Sequence, residues 1–327
     1  MATLMACMEF ETKSGQRTAL PEILDRAAAM ADAGQLAAAV DGLRQGLWAA
    51  RAAEPSPEAW RALVDREVRN HPALAFAHEN PFVWRCFSKP RGYAGDAVML
   101  DFIYRHPSAQ GLVAEATLRG QRQMEVCLTT PAPRAVRNRC RLLADEIDGV
   151  CLRNGEAEIL SIACGHLREA GHSEAIRAGR FGRFVALDQD VESLATVAGD
   201  LAGVGVEPVQ GSVKTVLASG ARDLGRFDFI YAAGLYDYLG DRLGARLLGR
   251  MFEMLKPGGK VWVANFAPDI ADVGFMEAVM DWWLIYRDAP AMWALAEEAL
   301  GGRGDVASVR TFSESEENIV FLEAVRR

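Results

Sequence analysis

The sequence lacks the local signatures of membrane, secreted and metal-binding proteins. No stretch reaches the roughly eighteen continuous apolar residues of a membrane helix, and the start has no basic segment followed by an apolar core. The cysteines form no C-x-x-C pair, and the histidines have no spacing typical of metal ligands. We therefore expect a cytoplasmic protein with neither a membrane span nor a metal site.

An excess of basic residues is also missing. The chain has 36 basic and 44 acidic residues among 327, a net charge of −8, and the basic residues are spread along its length. Nucleic-acid-binding proteins concentrate positive charge on one surface. We therefore expect a small-molecule partner, with no nucleic acid and no membrane, and the oligomeric state remains open.

The six cysteines stand mostly in apolar contexts typical of helices or strands. They are Cys7, Cys86, Cys127, Cys140, Cys151 and Cys164. This pattern predicts buried thiols in a reducing compartment.

The two halves of the chain follow different periodicities, and 50% hydrophobic content is ample for a packed core. Residues 1–150 have apolar residues three and four apart, which predicts a helical domain without strands. The predicted helices are Leu20–Ala33, Leu36–Ala52, Pro57–Asn70, Ala97–Arg105, Gly111–Leu128 and Pro133–Ile147.

Residues 151–327 alternate short β-rich runs with helices, which predicts a parallel sheet with right-handed crossovers. The runs are Ala157–Ala163, Phe184–Asp188, Glu207–Gly211, Asp228–Ala232 and Lys260–Phe266. Two last runs, Val306–Phe312 and Asn318–Val325, predict a terminal hairpin. The expected fold is α/β, with seven strands of which one is antiparallel.

The most informative stretch is Glu158–Glu169, an apolar run that ends on Gly165 and passes into helix-forming residues. It predicts a buried strand that opens onto a helix N-terminus, where open α/β sheets bind nucleotides. About twenty residues further on, a second strand ends on Asp188, at the distance where a ribose hydroxyl needs an acceptor. We expect an adenosine-containing cofactor.

Two resemblances extend this interpretation. The passage Met251–Val263, with its Leu-Lys-Pro-Gly-Gly sequence, resembles the helix, turn and strand of class I S-adenosylmethionine (SAM) dependent methyltransferases. The Pro-Gly-Gly turn is expected to stop the helix and supply positive φ angles. The family's first motif usually has two or three glycines, whereas Ala163–His166 has only Gly165.

A more specific resemblance covers nearly the whole chain. The segments Lys89–Asp101, Cys164–Glu169, Ala233–Tyr238 and Met280–Arg287 resemble a bacterial subgroup associated with 3-hydroxypalmitic acid methyl ester biosynthesis. SAM-cyclising enzymes that make azetidine-2-carboxylate are related to this group. The resemblance implies a SAM-binding Rossmann-like methyltransferase domain at 151–327, behind a helical lid or substrate domain at 1–150.

The resemblance leaves two reactions open. One is methyl transfer from SAM to the carboxylate of a 3-hydroxy fatty acid or a similar small acid. The other is intramolecular cyclisation of SAM to azetidine-2-carboxylate, with release of 5′-methylthioadenosine.

The cofactor contacts are expected at the ends of four strands and in one N-terminal loop. The candidates are Arg91, Ala163, Gly165, Asp188, Gln189, Gly211, Ser212 and Ala233. Some have structural alternatives: Gly165 as a plain turn residue, and Ser212 as a helix N-cap. Asp190 could share the ribose with Asp188 or cap the next helix.

Three residues are candidates for catalysis: Tyr93, Asn138 and Tyr236. Tyr93 belongs to the glycine-rich loop Gly92–Asp96, which we expect to fold over the methionine end of SAM, where Lys89 and Arg91 could meet a carboxylate. An ordinary solvated loop is the alternative. Asn138, with Arg137, could bind the methionyl amine and carboxylate, or belong to a solvated basic helix face.

In an extended segment, Tyr236 and Tyr238 would share one side and could attract the sulfonium, with core packing as the alternative. Asp237 could position an amine or cap a helix. His166 could act as a base or bond locally. An aromatic helical stripe is predicted from Trp282, Trp283, Tyr286 and Trp293; it could shape an acceptor pocket or pack in the core.

Overall fold

The computed structural model describes residues 19–218 and 224–327; Cys7 lies outside these ranges. The other five cysteines are free thiols and buried, as predicted.

The chain divides into two compact units. Described residues up to Arg134, together with Asp269–Trp283, form the first unit. Residues 135–268 and 284–327 form the second. The division thus falls before the predicted boundary at residue 150, and no sequence pattern indicated the return of residues 269–283 to the first unit.

Helices build the first unit, as its periodicity predicted. They are α1 (Leu20–Asp32), α2 (Leu36–Ala53), α3 (Pro57–Glu67), α4 (Ala73–Ala77), α5 (Pro81–Ser88), α6 (Ala97–Tyr104), α7 (Gln110–Glu115), α8 (Leu118–Cys127) and the start of α9 (Pro131–Arg153). The single helix predicted over Gly111–Leu128 is two helices, because Thr117 caps α8 by accepting the Gly120 N–H at 3.0 Å.

The second unit contains a seven-stranded sheet in the order β3-β2-β1-β4-β5-β7-β6. The strands are β1 (Glu158–Ile162), β2 (Arg183–Asp188), β3 (Val206–Gln210), β4 (Phe227–Ala232), β5 (Leu255–Phe266), β6 (Val306–Ser313) and β7 (Ile319–Arg326). Strands β1 to β5 are parallel, and β7 is antiparallel to both β5 and β6. The predicted α/β sheet of seven strands, one of them antiparallel, is confirmed.

The order of the sheet reverses between β1 and β4. The chain passes from β1 outward to β2 and β3, then returns to β4 on the other side of β1. Open α/β sheets bind ligands in the crevice beside the carboxyl ends of such strands. The topology therefore marks the ends of β1 and β4 as the candidate site.

Helices cover this sheet. The remaining helices in chain order are α10 (Arg168–His172), α11 (Glu174–Arg177), α12 (Val191–Asp200), α13 (Val213–Leu217), α14 (Asp241–Glu253), α15 (Val273–Ala278) and α16 (Ala289–Leu300). Of these, α15 belongs to the first unit. Leu247, Leu248, Met251 and Phe252 of α14 are buried in the core of the second unit. No described helix is both long and apolar enough to cross a membrane.

The Pro-Gly-Gly passage differs from its prediction. Helix α14 has already ended at Glu253, and β5 starts at Leu255 and continues through the motif. Gly258 has the expected positive φ, 77°, and the register with β4 shifts between Phe227 and Phe229. The Pro-Gly-Gly motif is therefore an irregularity within the paired strand β5, and not the turn between helix and strand that was predicted.

The predicted aromatic helical stripe is wrong. Residues 281–288 have no helical structure, and only Trp293 lies on a helix, α16. Trp283 instead donates its Nε1–H to Asp281 at 2.7 Å, beneath the Arg61 guanidinium at 4.1 Å from the ring centre. A spacing of three and four predicts a helical face only when the backbone is helical.

Buried carboxylates fix residues 269–283 within the first unit. Glu277 accepts from Arg51 Nε at 2.6 Å and from Trp60 Nε1 at 2.8 Å. Asp272 accepts from the Ala132 N–H at 2.7 Å. Such buried carboxylates are stable only when several donors replace their lost water.

A third carboxylate in this segment, Asp281, pairs with Lys89 at 2.5 Å and with Arg69. These donors and Trp283 hold the pKa of Asp281 below its usual value, against the effect of burial. Lys89 was predicted to contact a carboxylate of the cofactor. In the structure it pairs with a carboxylate of the protein, that of Asp281.

Substituting Gly274 should destabilise the first unit. A Cβ at this position would lie 2.5 Å from the Leu47 carbonyl oxygen, because α15 packs directly on the backbone of α2. We expect Gly274→Ala to lower the free energy of unfolding by about 1–3 kcal/mol, as measured by urea denaturation. Gly111→Ala is the matched control, since a Cβ on this helical glycine meets nothing within 4 Å. Equal stability of the two variants would contradict this packing.

Candidate cofactor site

The loop after β1 turns sharply with a single glycine. Ala163, Gly165 and Leu167 all have positive φ, at 54°, 54° and 51°. Helix α10 begins only at Arg168 and has five residues, so the predicted helix directly after Gly165 is displaced and short. Three alternate residues with left-handed backbone therefore form the sharp turn for which the family uses several glycines. Ala163, the first of them, is exposed.

Asp188 connects the loop after β1 to the loop after β2. Its Oδ2 accepts the Gly165 N–H at 2.8 Å, and its Oδ1 accepts the Asp190 N–H at 2.9 Å. The side chain is at the end of β2, as predicted, and the residue is only 6% exposed. The carboxylate thus holds both loops by charge-assisted hydrogen bonds.

The loop after β3 is attached to the same residue. The Gly211 N–H donates to the Asp188 carbonyl oxygen at 2.9 Å. Ser212 occupies the N-cap of α13, and its N–H donates to Thr215 Oγ1 at 3.0 Å. The structure therefore brings together Gly165, Asp188 and Gly211, which together span more than forty positions of the sequence.

The neighbours of Asp188 have different environments. Gln189 is exposed beside it. Asp190 caps α12, where it accepts from the Glu192 N–H at 3.0 Å and from Ser193 Oγ at 2.8 Å. This placement favours the capping alternative for Asp190.

Arg139 is the residue at this edge that the sequence interpretation missed. It is 5% exposed on α9 and donates from Nη1 to the carbonyl oxygen of Ala233, directly after β4, at 2.7 Å. Its position continues the buried stripe of α9 with Ala135, Val136 and Leu143. A charged residue at an apolar position of the helix period was the signal that could have identified it.

Asn138, on the same helix, supports the terminal hairpin. Its Nδ2 donates to Glu314 Oε2 and to Ser315 Oγ, both at 3.0 Å. An amide nitrogen has two hydrogens, so the hairpin turn occupies both. This geometry gives no support to the predicted contact with a methionyl group.

Tyr236 lies in the core, the second of its two predicted environments. The backbone at Tyr236–Tyr238 forms a 3-10 turn, so Tyr236 is fully buried while Tyr238 is 40% exposed. The Tyr236 hydroxyl donates to the Gly244 carbonyl oxygen at 3.2 Å, and burial raises its pKa. The prediction that both tyrosines share one side was wrong, because it assumed an extended segment.

Arg287 fixes the loop after β4. Its guanidinium is 3% exposed and donates to the carbonyl oxygens of Tyr236 at 2.9 Å and Leu239 at 2.6 Å. It also donates to Asn265 Oδ1 at 2.7 Å and to Asp241 Oδ1 at 2.6 Å. The buried Arg287 guanidinium therefore supplies the hydrogen bonds that water would otherwise donate to these loop carbonyl oxygens.

Asp237 reinforces the same arrangement from within the loop. Its Oδ1 accepts the Phe266 N–H at 2.8 Å, and its carbonyl oxygen accepts the Ile285 N–H at 2.8 Å. Burial raises the pKa of Asp237 to about 6, although Arg139 and Arg287 oppose the shift. The loop after β4 and the end of β5 thus form a rigid wall of the candidate site.

Two further ionisable groups lie near the end of β1. Glu169 accepts the Tyr231 hydroxyl at 2.6 Å, and burial raises the pKa of Glu169. His166 is buried, with Nδ1 3.3 Å from a guanidinium nitrogen of Arg168. Local bonding is thus observed for His166, one of its two predicted environments. No group of three potential metal ligands occurs among residues 19–218 and 224–327.

Arg91 and Tyr93 belong to the first unit and are both partly buried. Their loop has the predicted irregular shape: Gly92 has a φ of 87°, and Asp96 ends the loop by capping α6 through the Met99 N–H at 2.7 Å. Their contacts with a cofactor stay a prediction.

Comparison with solved structures supports the fold. No protein-family model and no curated protein matches the sequence. A possible exported protein from Bordetella parapertussis is 15% identical, with a TM-score of 0.52, and the match covers 84% of this chain and 99% of that one. This likeness shows a shared fold.

Two methyltransferase structures have lower TM-scores. Magnesium protoporphyrin IX methyltransferase (ChlM) from Synechocystis PCC 6803, solved with bound SAH, has 10% identity and a TM-score of 0.45, covering 69% and 97% of the two chains. An O-methyltransferase family protein from Burkholderia thailandensis has 17% identity and a TM-score of 0.44, covering 69% and 72%. These scores are too low to carry a functional argument.

Removing the Arg287 guanidinium should destabilise the second unit. Arg287→Met retains bulk but leaves buried carbonyl oxygens without a donor, so we expect a loss of roughly 3–5 kcal/mol in the free energy of unfolding. Arg242→Met, on the exposed side of α14, is the control and should change stability by less than about 0.5 kcal/mol. Similar urea midpoints for both variants would refute the role of Arg287.

Proposed function

We propose that the chain is an enzyme that binds and consumes SAM at the carboxyl edge of the sheet in its second unit. The observation that carries this proposal is the convergence of three loops on Asp188, beside the point where the strand order reverses. The topology supplies the crevice, and the Asp188 carboxylate supplies an acceptor for a ribose hydroxyl.

The remaining contacts are those that the resemblance implies for the residues at the strand ends. Ala163 and Gly165 present backbone to the cofactor, and Gln189, Gly211 and Ser212 border the adenine. Ala233 lies beside the sulfonium, with its carbonyl oxygen held by Arg139. A role for Arg91 and Tyr93 at the methionyl end rests on the resemblance alone.

Methyl transfer to a small acid is the leading reaction, with the carboxylate of a 3-hydroxy fatty acid as acceptor. A carboxylate is ionised near neutral pH and needs no general base. Among the described residues of the second unit at this edge, Glu169 and Asp237 are buried and hydrogen-bonded within the protein. Neither carboxylate is needed as a base if catalysis depends on aligning the acceptor oxygen, the methyl carbon and the sulfur in a closed site.

The alternative reaction retains the cofactor and dispenses with an acceptor. The ammonium group of SAM first loses a proton to solvent. The neutral amine then attacks the γ-carbon of the same molecule, and the bond from that carbon to sulfur breaks with its electron pair remaining on sulfur. The products are azetidine-2-carboxylate and 5′-methylthioadenosine. This alternative rests on the same resemblance as the first.

Incubation of the purified chain with SAM alone separates the two reactions. Mass spectrometry should show no turnover without an acceptor, and SAH together with a methyl ester when a 3-hydroxy fatty acid is added. Enzyme-dependent 5′-methylthioadenosine with an equal amount of azetidine-2-carboxylate would establish cyclisation instead. Absence of SAM binding in calorimetry would refute both.

Asp188→Ala should weaken SAM binding roughly ten- to a hundredfold, because it removes a charged acceptor and releases the Gly165 loop. Isothermal titration calorimetry measures the change. Asp190→Ala is the matched control: it removes a carboxylate two residues away that caps α12, so stability should fall while SAM affinity stays the same. Wild-type affinity in Asp188→Ala would overturn the ribose assignment.

A further inference from the structure

Buried carboxylates accumulate at the candidate site beyond what ribose binding requires. Asp237 is 3% exposed in the first turn after β4, and Glu169 is 8% exposed on α10. Neither has a task in the proposed reaction. A buried carboxylate is costly unless a cation or several donors compensate it.

Two of the three buried guanidiniums at this edge pair with carboxylates other than Glu169 and Asp237. The three are Arg139, Arg168 and Arg287. Arg168 pairs with Asp200 at 2.5 Å, and Arg287 pairs with Asp241 at 2.6 Å. The Arg139 guanidinium donates to the Ala233 carbonyl oxygen at 2.7 Å.

The two buried carboxyls are both close enough to Arg139 to feel its charge. Burial raises the pKa of both Asp237 and Glu169, and the Arg139 charge opposes the shift in each. Arg139 is shared between them and also binds the Ala233 carbonyl oxygen. An additional cation would therefore lower the free energy of the occupied site.

Asp237 is better placed than Glu169 to act on a ligand. It lies in the loop that directly follows β4, at the edge where the crevice opens. Glu169 instead accepts the hydroxyl of Tyr231, a residue within β4. The field of Asp237 is also weakly screened, because little water reaches it.

We propose that Asp237 is a specificity-determining residue that makes the site favour a cationic cofactor over its neutral product. This inference rests on the proposed SAM function. SAM carries a positive sulfonium, and SAH, in which sulfur is a neutral thioether, does not. The sulfur of 5′-methylthioadenosine is also a neutral thioether. Either reaction would therefore remove the positive charge that Asp237 attracts and would favour release of the product.

Calorimetric titration of SAM and of SAH into the wild-type chain and Asp237→Asn tests the proposal. The amide retains an oxygen acceptor for the Phe266 N–H and removes the charge, while an NH2 group replaces the second oxygen. We expect SAM affinity to fall about tenfold, and SAH affinity to change less than twofold. Glu298→Gln is the charge-matched control, since Glu298 is exposed on α16 and the loss of its charge should leave the SAM to SAH ratio unchanged.

The outcomes separate this inference from the proposed function. If neither ligand binds the wild-type chain, the proposed function fails. If both bind and Asp237→Asn weakens them equally or not at all, the function stands and the role of Asp237 is refuted.

A pH series on the wild-type chain keeps the test decisive if Asp237→Asn does not fold. The groups facing Asp237 are Arg139, Arg287 and the Phe266 N–H; the guanidiniums stay charged throughout. The preference for SAM over SAH should be complete above pH 7 and decline as pH falls through about 6, where Asp237 gains a proton. Repeating the series with His166→Gln tests whether the His166 imidazole, rather than Asp237, causes the pH dependence. A ratio that stays constant from pH 5 to 8 would overturn the proposal.

Discussion

The candidate site depends on one carboxylate. Asp188 holds the Gly165 amide with its side chain and the Gly211 amide with its backbone, so the loops after three strands keep a fixed relation. The residue is buried, which strengthens each of these bonds relative to water. A glycine-poor first loop can therefore keep a sharp shape, because its left-handed residues are held by an acceptor rather than by a repeated glycine motif.

The opposite side of the crevice is built on buried guanidiniums. Arg287 satisfies the carbonyls of the loop after β4, and Arg139 holds Ala233. Guanidiniums suit this role because their planar donors reach several acceptors at once. The same loop contains Asp237, whose pKa burial raises to about 6 although Arg139 and Arg287 oppose the shift. Structure and charge at this edge are thus set together.

The sequence predicted the sheet well, because alternating apolar runs and helices leave few topologies. It also identified Asp188 at the end of β2, where strand and loop are adjacent in sequence. It failed where the backbone was assumed rather than known. Tyr236 and Tyr238 were placed on one side of an extended segment that is a 3-10 turn, and an aromatic stripe was placed on a helix where residues 281–288 are irregular.

The sequence by itself determined the helical first part of the chain, the seven strands and the acidic end of β2. These features depend on periodicity and on residue types that act over a few neighbouring positions. Tertiary structure decided which distant groups meet. Arg139 became a partner of Ala233, Asn138 a support of the hairpin, and residues 269–283 a part of the first unit. These outcomes depend on burial and on hydrogen bonds between residues far apart in the chain, which no local pattern encodes.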